Sequence, residues 1–209
     1  MTDRPGSDVA HVPLIGGHIS LDFANTASSR TPGGKVERVH RFEDLLVWSK
    51  RVGTATPAEG AALRAAARMD PTGARRVVAR ALTFREALYR IFSATAAGQE
   101  CRRPDLDTLN AVLHDALAHR ALATTDVVTG WTWVHGGPDL PRLLWPIALA
   151  AADLLTGPDV GRVKECGNAP CSWLFLDRSR NRSRRWCEMR DCGNRMKARA
   201  FAARRRGVA

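Results

Sequence analysis

The chain of 209 residues has no apolar run approaching the roughly 20 residues needed to span a bilayer. Its first residues, MTDRPGSDVAHVPL, are polar and carry two acids, without the basic start and apolar stretch of a signal peptide. No membrane partner and a cytoplasmic location are therefore the expectation. The six histidines (His11, His18, His40, His114, His119 and His135) are scattered, with no HExxH spacing. A phosphate-cradling glycine loop and a nucleophile elbow are both missing, so the residues point away from an enzyme. Internal repeats and low-complexity segments are absent too. What is present, 44% hydrophobic and 25% charged residues, excludes wholesale disorder and predicts a packed core. The length suits one ordinary domain plus a small second one.

The net charge of +11 is unevenly spread. Residues 161–209 hold 14 Lys/Arg against 4 Asp/Glu, a balance of +10, while residues 1–160 hold 18 against 17. A basic excess confined to one end is the footprint of a polyanion binder, because each cation placed on a phosphate releases condensed counterions. The plainer alternative is a solvated tail that aids solubility.

Residues 1–13 read as a flexible leader. Ile19, Leu21 and Phe23 alternate with Ser20, Asp22 and Ala24, which predicts a short half-buried strand. Helices are expected near 42–48, from a cap at Thr56 with Glu59 completing the box, over 74–97 after a break at Pro71–Gly73, and over 106–119. A second strand is expected over 127–135, then a buried helix over 140–155 kinked at Pro146. Thr156-Gly157-Pro158 marks a boundary, giving a mainly helical α+β unit over 14–157 and a small unit over 161–209. Asp22 and Asn25, with Trp48, are candidates for holding a small-molecule ligand. The competing reading is that Asn25 and Thr26 hydrogen-bond backbone at a strand end.

The small unit contains Cys166, Cys171, Cys187 and Cys192 in the spacing C-x4-C-x15-C-x4-C. Four thiolates in two close pairs suit one structural Zn2+ in a closed tetrahedral site. Two disulfides would need an oxidising compartment, and an iron–sulfur cluster also uses four thiolates. Gly167–Pro170 reads as a tight turn, Ser172–Leu176 as a strand, and Arg184–Trp186 as the returning strand of a hairpin, followed by a basic helix. That order is treble-clef-like, and metal binding would supply most of its folding free energy. Arg178, Arg180, Arg182, Arg184 and Arg185 fall on the hairpin turn. Arg195, Lys197 and Arg199 fall on the helix, where Arg195, Arg199 and Arg206 share one face. Phosphate contact is the expected role for most of them. Trp173 and Trp186 are expected to form a mini-core.

Cys192-Gly193-Asn194-Arg195, with CSWLFLDRSRN and RRWCEMRDCGNR around it, resembles the CGNR zinc-finger family. Upstream, GGHISLDFANT, FEDLLVW and FREALYRIF resemble the ABATE domain that commonly precedes this finger. The resemblance runs from about His18 to Arg206. It implies a helical bundle with a small β component as a regulatory domain, followed by a zinc-dependent DNA-binding tail, in a family named for stress-induced transcription regulators. Nucleic acid, as duplex DNA, is the implied partner; a small-molecule effector and a homodimer are left open. RNA binding, or a zinc-stapled module gripping an acidic protein, are the alternatives.

Overall fold

The computed structural model describes residues 8–30, 34–125, 127–134, 136–205 and 207. The architecture is mainly helical α+β, with three small antiparallel sheets of two strands each. Its axis is α4 (Pro71–Ala96), against which α1 (Ile19–Ala24), α2 (Phe42–Arg51), α3 (Pro57–Met69) and α5 (Arg103–Ala118) pack. Val77, Ala81, Phe84, Leu88 and Ile91 recur at steps of three and four along α4 and are all buried. Asp70 ends α3 and begins α4: its side chain accepts from the Gly73 N–H at 2.7 Å, and Pro71 fits the first turn, where no donor is needed. The Thr56–Glu59 capping box on α3 is present as expected. No helix among the described residues is long and apolar enough to cross a membrane.

Several local expectations are corrected. The stretch 19–24 is a helix, α1, rather than a strand. Ser20, Leu21, Asp22, Phe23 and Ala24 are all buried, so a six-residue alternation could not reveal the period of an element enclosed on nearly every side. The leader is docked from Asp8 onward: Val9 and Val12 are buried, and Arg51 donates to the Val12 carbonyl at 2.5 Å. Residues 1–7 lie outside the described residues. Leu140–Leu144 is a 3-10 turn, and α6 (Trp145–Thr156) starts after it, with Pro146 opening that helix instead of kinking it. The strand near 127–135 is β4 (Val128–Trp133), paired with β3 (Arg120–Thr125) in a hairpin whose Leu122 and Trp131 sit opposite each other and exposed. His135 lies outside the described residues.

The sheet of β1 (Ala27–Ser28) and β2 (Val36–Glu37) is fixed by a charged network. Arg85 of α4, fully buried, forks onto Glu37 at 2.5 and 2.6 Å and onto Glu86 at 2.8 Å. Arg30 reaches Glu86 at 2.8 Å and lies 3.9 Å over the Tyr89 ring. Burial alone would raise Glu86, but the Arg30 and Arg85 guanidiniums hold its carboxyl at about 2.

The C-terminal strands are β5 (Val163–Glu165) and β6 (Leu174–Leu176), with Val163 opposite Leu176. The hairpin is thus made with the strand before the first cysteine pair. Arg184–Trp186 does not return as a strand because Arg184 turns inward, donating to the carbonyls of Trp186 (3.0 Å) and Cys187. Val163, Trp173, Leu174, Phe175 and Leu176 belong to the same continuous buried cluster as α1, α2 and α4. The break in composition near 157–161 is therefore not a break in packing.

Candidate metal centre and basic surface

The four sulfur atoms of Cys166, Cys171, Cys187 and Cys192 lie within 4.8 Å of one another. Cys171 and Cys187 are 3.5 Å apart, and Cys187 and Cys192 3.6 Å. Zinc–sulfur bonds of about 2.3 Å in a tetrahedron place the sulfurs about 3.8 Å apart, so the cluster has the size of a closed tetrathiolate site. Cys166 and Cys171 sit on the connection between β5 and β6. Cys192 sits in the π turn Met189–Gly193 that leads into α7 (Asn194–Arg205). The Cys187 N–H donates to the Cys166 sulfur and the Asn168 amide to the Cys192 sulfur, each at 3.4 Å, which favours thiolates. Hydrogen bonding within the cluster pulls the Cys166 thiol down and pushes Cys171 and Cys187 up. Four thiols this close cannot all ionise unless a cation shares their charge.

Two glycines beside the cluster sit close against their neighbours. A Cβ on Gly167 would come 3.0 Å from the Trp186 ring, and one on Gly193 would come 2.4 Å from the Met189 sulfur and 3.2 Å from Trp186. The two Cys-Gly-Asn triplets, at 166–168 and 192–194, thus bring their backbones against one indole.

The centre is held on the helical domain by the segment that the sequence singled out. The Asn25 amide donates to the Leu174 carbonyl at 2.8 Å, and its oxygen accepts the Leu174 N–H at 2.9 Å. Leu176 N–H donates to the Gly16 carbonyl at 2.8 Å. One edge of β6 is therefore paired with β5, and the other with Gly16 and a side chain of α1's C-terminal cap. Asp22 accepts the Gly16 N–H at 2.8 Å, and burial pushes its carboxyl up to about 6, against that hydrogen bond and Arg51. Trp48 is buried 5.2 Å from the Phe23 ring. Asn25 thus makes the backbone hydrogen bonds of the alternative reading, to Leu174, while Asp22 and Trp48 are buried beside it. Thr26 likewise donates to the Phe23 carbonyl at 2.8 Å. Further ties come from Ser29 N–H to the Cys171 carbonyl (3.1 Å), and from Tyr89 (2.8 Å) and Ser93 (2.5 Å) of α4 to Glu165.

The arginines divide into two groups. Arg178, Arg180, Arg182 and Arg185 are exposed, and Arg180 and Arg182 have no side-chain partner among the described residues. Arg178 also donates to the Gly17 carbonyl at 3.1 Å, and Arg185 lies 5.4 Å over Trp186. Arg184 is half-buried and lies 4.3 Å over the Phe175 ring, with its guanidinium bracing the loop through the Trp186 carbonyl. On α7, Lys197 is exposed, Arg195 pairs with Asp191 at 2.7 Å, and Arg199 donates to the Asn168 oxygen at 3.1 Å. Arg206 lies outside the described residues.

Sequence reasoning missed what organises this loop. Asp177 is buried and accepts from Ser179 N–H (2.9 Å) and hydroxyl (2.5 Å), Arg184 N–H (2.9 Å) and the Lys164 ammonium (2.7 Å). Burial would raise it, but Lys164 and these hydrogen bonds hold its carboxyl far below the usual range. The Asp-x-Ser pattern of a side-chain turn was the available signal.

The fold and this cluster define a metal-binding finger built into a helical domain. Residues 17–158 match the ABATE family, described as "Putative stress-induced transcription regulator", and residues 162–205 match the CGNR zinc finger. The chain belongs to the ABATE family and carries a CGNR finger at its C-terminal end. Among curated proteins no significant sequence match was found.

Proposed function

We propose that the protein is a transcription regulator that binds one Zn2+ through Cys166, Cys171, Cys187 and Cys192, and duplex DNA through the basic surface beside it. The zinc would supply the positive charge that lets all four thiolates ionise. With four protein ligands it has no open position, so its role is structural and the reading is of a binding protein rather than an enzyme. The observation that carries the nucleic-acid reading is α7. It has no buried residue, and its side chains include Arg195, Lys197, Arg199, Arg204 and Arg205. A 12-residue helix with no buried residue gains little stability from packing, and a polyanion supplies both charge and a surface. An α-helix fits the major groove of B-DNA, and the exposed guanidiniums of the Asp177-pinned loop suit flanking phosphates.

The test is the double variant Arg180→Glu/Arg182→Glu, which changes two side chains with no internal partner. Fluorescence anisotropy on a labelled duplex is expected to show affinity reduced by about tenfold or more, since two cations become two anions. Undiminished duplex binding would reject the reading. Stronger binding of a structured RNA than of the duplex, with the same sensitivity to the variant, would favour the RNA alternative.

A further inference from the structure

A groove of about 830 Å3 opens between the start of α2, the second half of α3 and the first half of α4. That volume lies within the range of small-molecule sites. Its floor is apolar, formed by Phe42, Ala67, Ala74, Val78 and Leu82. Its rim carries His40, four arginines and one acid. Arg41 is engaged by Asp44 at 3.4 Å, and Arg64 by Glu43. Arg68, in the last turn of α3, and Arg75, in the first turns of α4, are exposed and have no acidic partner among the described residues. The Arg75 guanidinium donates to the Thr72 hydroxyl, at 2.9 Å.

We propose that this groove binds a small amphipathic organic acid, its apolar body lying on Phe42, Val78 and Leu82 and its carboxylate held by Arg68 and Arg75. Charge selects the ligand class. A cation would meet two uncompensated guanidiniums, and a neutral apolar molecule would leave both unused. A carboxylate satisfies them with charge-assisted, forked hydrogen bonds while its tail covers the floor. The groove and one tie of the finger share a helix: Ala74, Val78 and Leu82 of α4 line the groove, and Tyr89 and Ser93 further along α4 hold Glu165 of β5. This inference is independent of whether the finger binds DNA.

The experiment is isothermal titration calorimetry of the metal-loaded full chain with decanoate, and with decyltrimethylammonium as a cation on the same tail. Saturable one-to-one binding of decanoate alone is expected. Arg68→Glu/Arg75→Glu should weaken it about tenfold or more. Ala79→Trp, at an exposed position on the groove wall, should block it while the circular dichroism melt stays in place. Binding should persist in Arg180→Glu/Arg182→Glu, which separates the groove from the basic finger. The proposal is overturned by absence of saturable decanoate binding or by equal binding of the cation. It is equally overturned by indifference to the Arg68 and Arg75 changes, or by loss in the finger variant instead.

Discussion

Asn25 is a side chain acting as a piece of strand. Its amide and oxygen take both hydrogen-bonding groups of Leu174 in a place fully shielded from water. Replacing it by Leu leaves the Leu174 N–H and carbonyl buried without partners. Each orphaned group costs about 1–3 kcal/mol, so Asn25→Leu should lower unfolding stability by about 2–6 kcal/mol, read from the urea midpoint of the metal-loaded chain. An unmoved midpoint would mean that the amide is not holding β6. The sequence made Asn25 conspicuous as a polar residue in an apolar stretch. It could not show that the partner stands 149 positions away, so a ligand site and a backbone bond looked alike. Arg184 teaches the same lesson in reverse. In an arginine-rich turn all five guanidiniums look equivalent, and only the fold shows that one of them, half-buried, braces the loop.

At the level of elements, the long helices were legible because α4 and α5 run through many turns with one buried stripe, and α4 opens on the Asp70 cap. The short elements were not. Six residues of α1 contain too little periodicity to separate helix from strand once both faces are covered. The partner of β6 was misassigned because Val163–Glu165 is only three residues long and precedes the cysteines. The cysteine spacing, by contrast, needed no periodicity and located all four members of the cluster. Because β6 is bonded on both edges and buried against α1 and α4, the finger and the helical domain should melt together. Removing metal with a strong chelator is expected to lower the midpoint of the whole transition followed at 222 nm, in one cooperative step. An unchanged helical melt after metal loss would show that the finger is an independent module.

Over the whole molecule, charge and packing are arranged differently. Packing makes one core from residues 9 to 192, whereas the charge excess belongs almost entirely to residues 161–209. The helical domain thus acts as a near-neutral base that fixes the metal centre through Gly16, Asn25 and Ser29, and the finger turns its uncompensated arginines outward. If those arginines meet phosphates, binding is driven by counterion release and must weaken steeply with salt. The most direct measurement is the affinity of the zinc-loaded full chain for a labelled duplex, followed by anisotropy across a range of salt concentrations. With about five phosphates engaged, a log–log slope of about −4 to −5 is expected. A slope near zero, or no binding at low salt, would contradict the account.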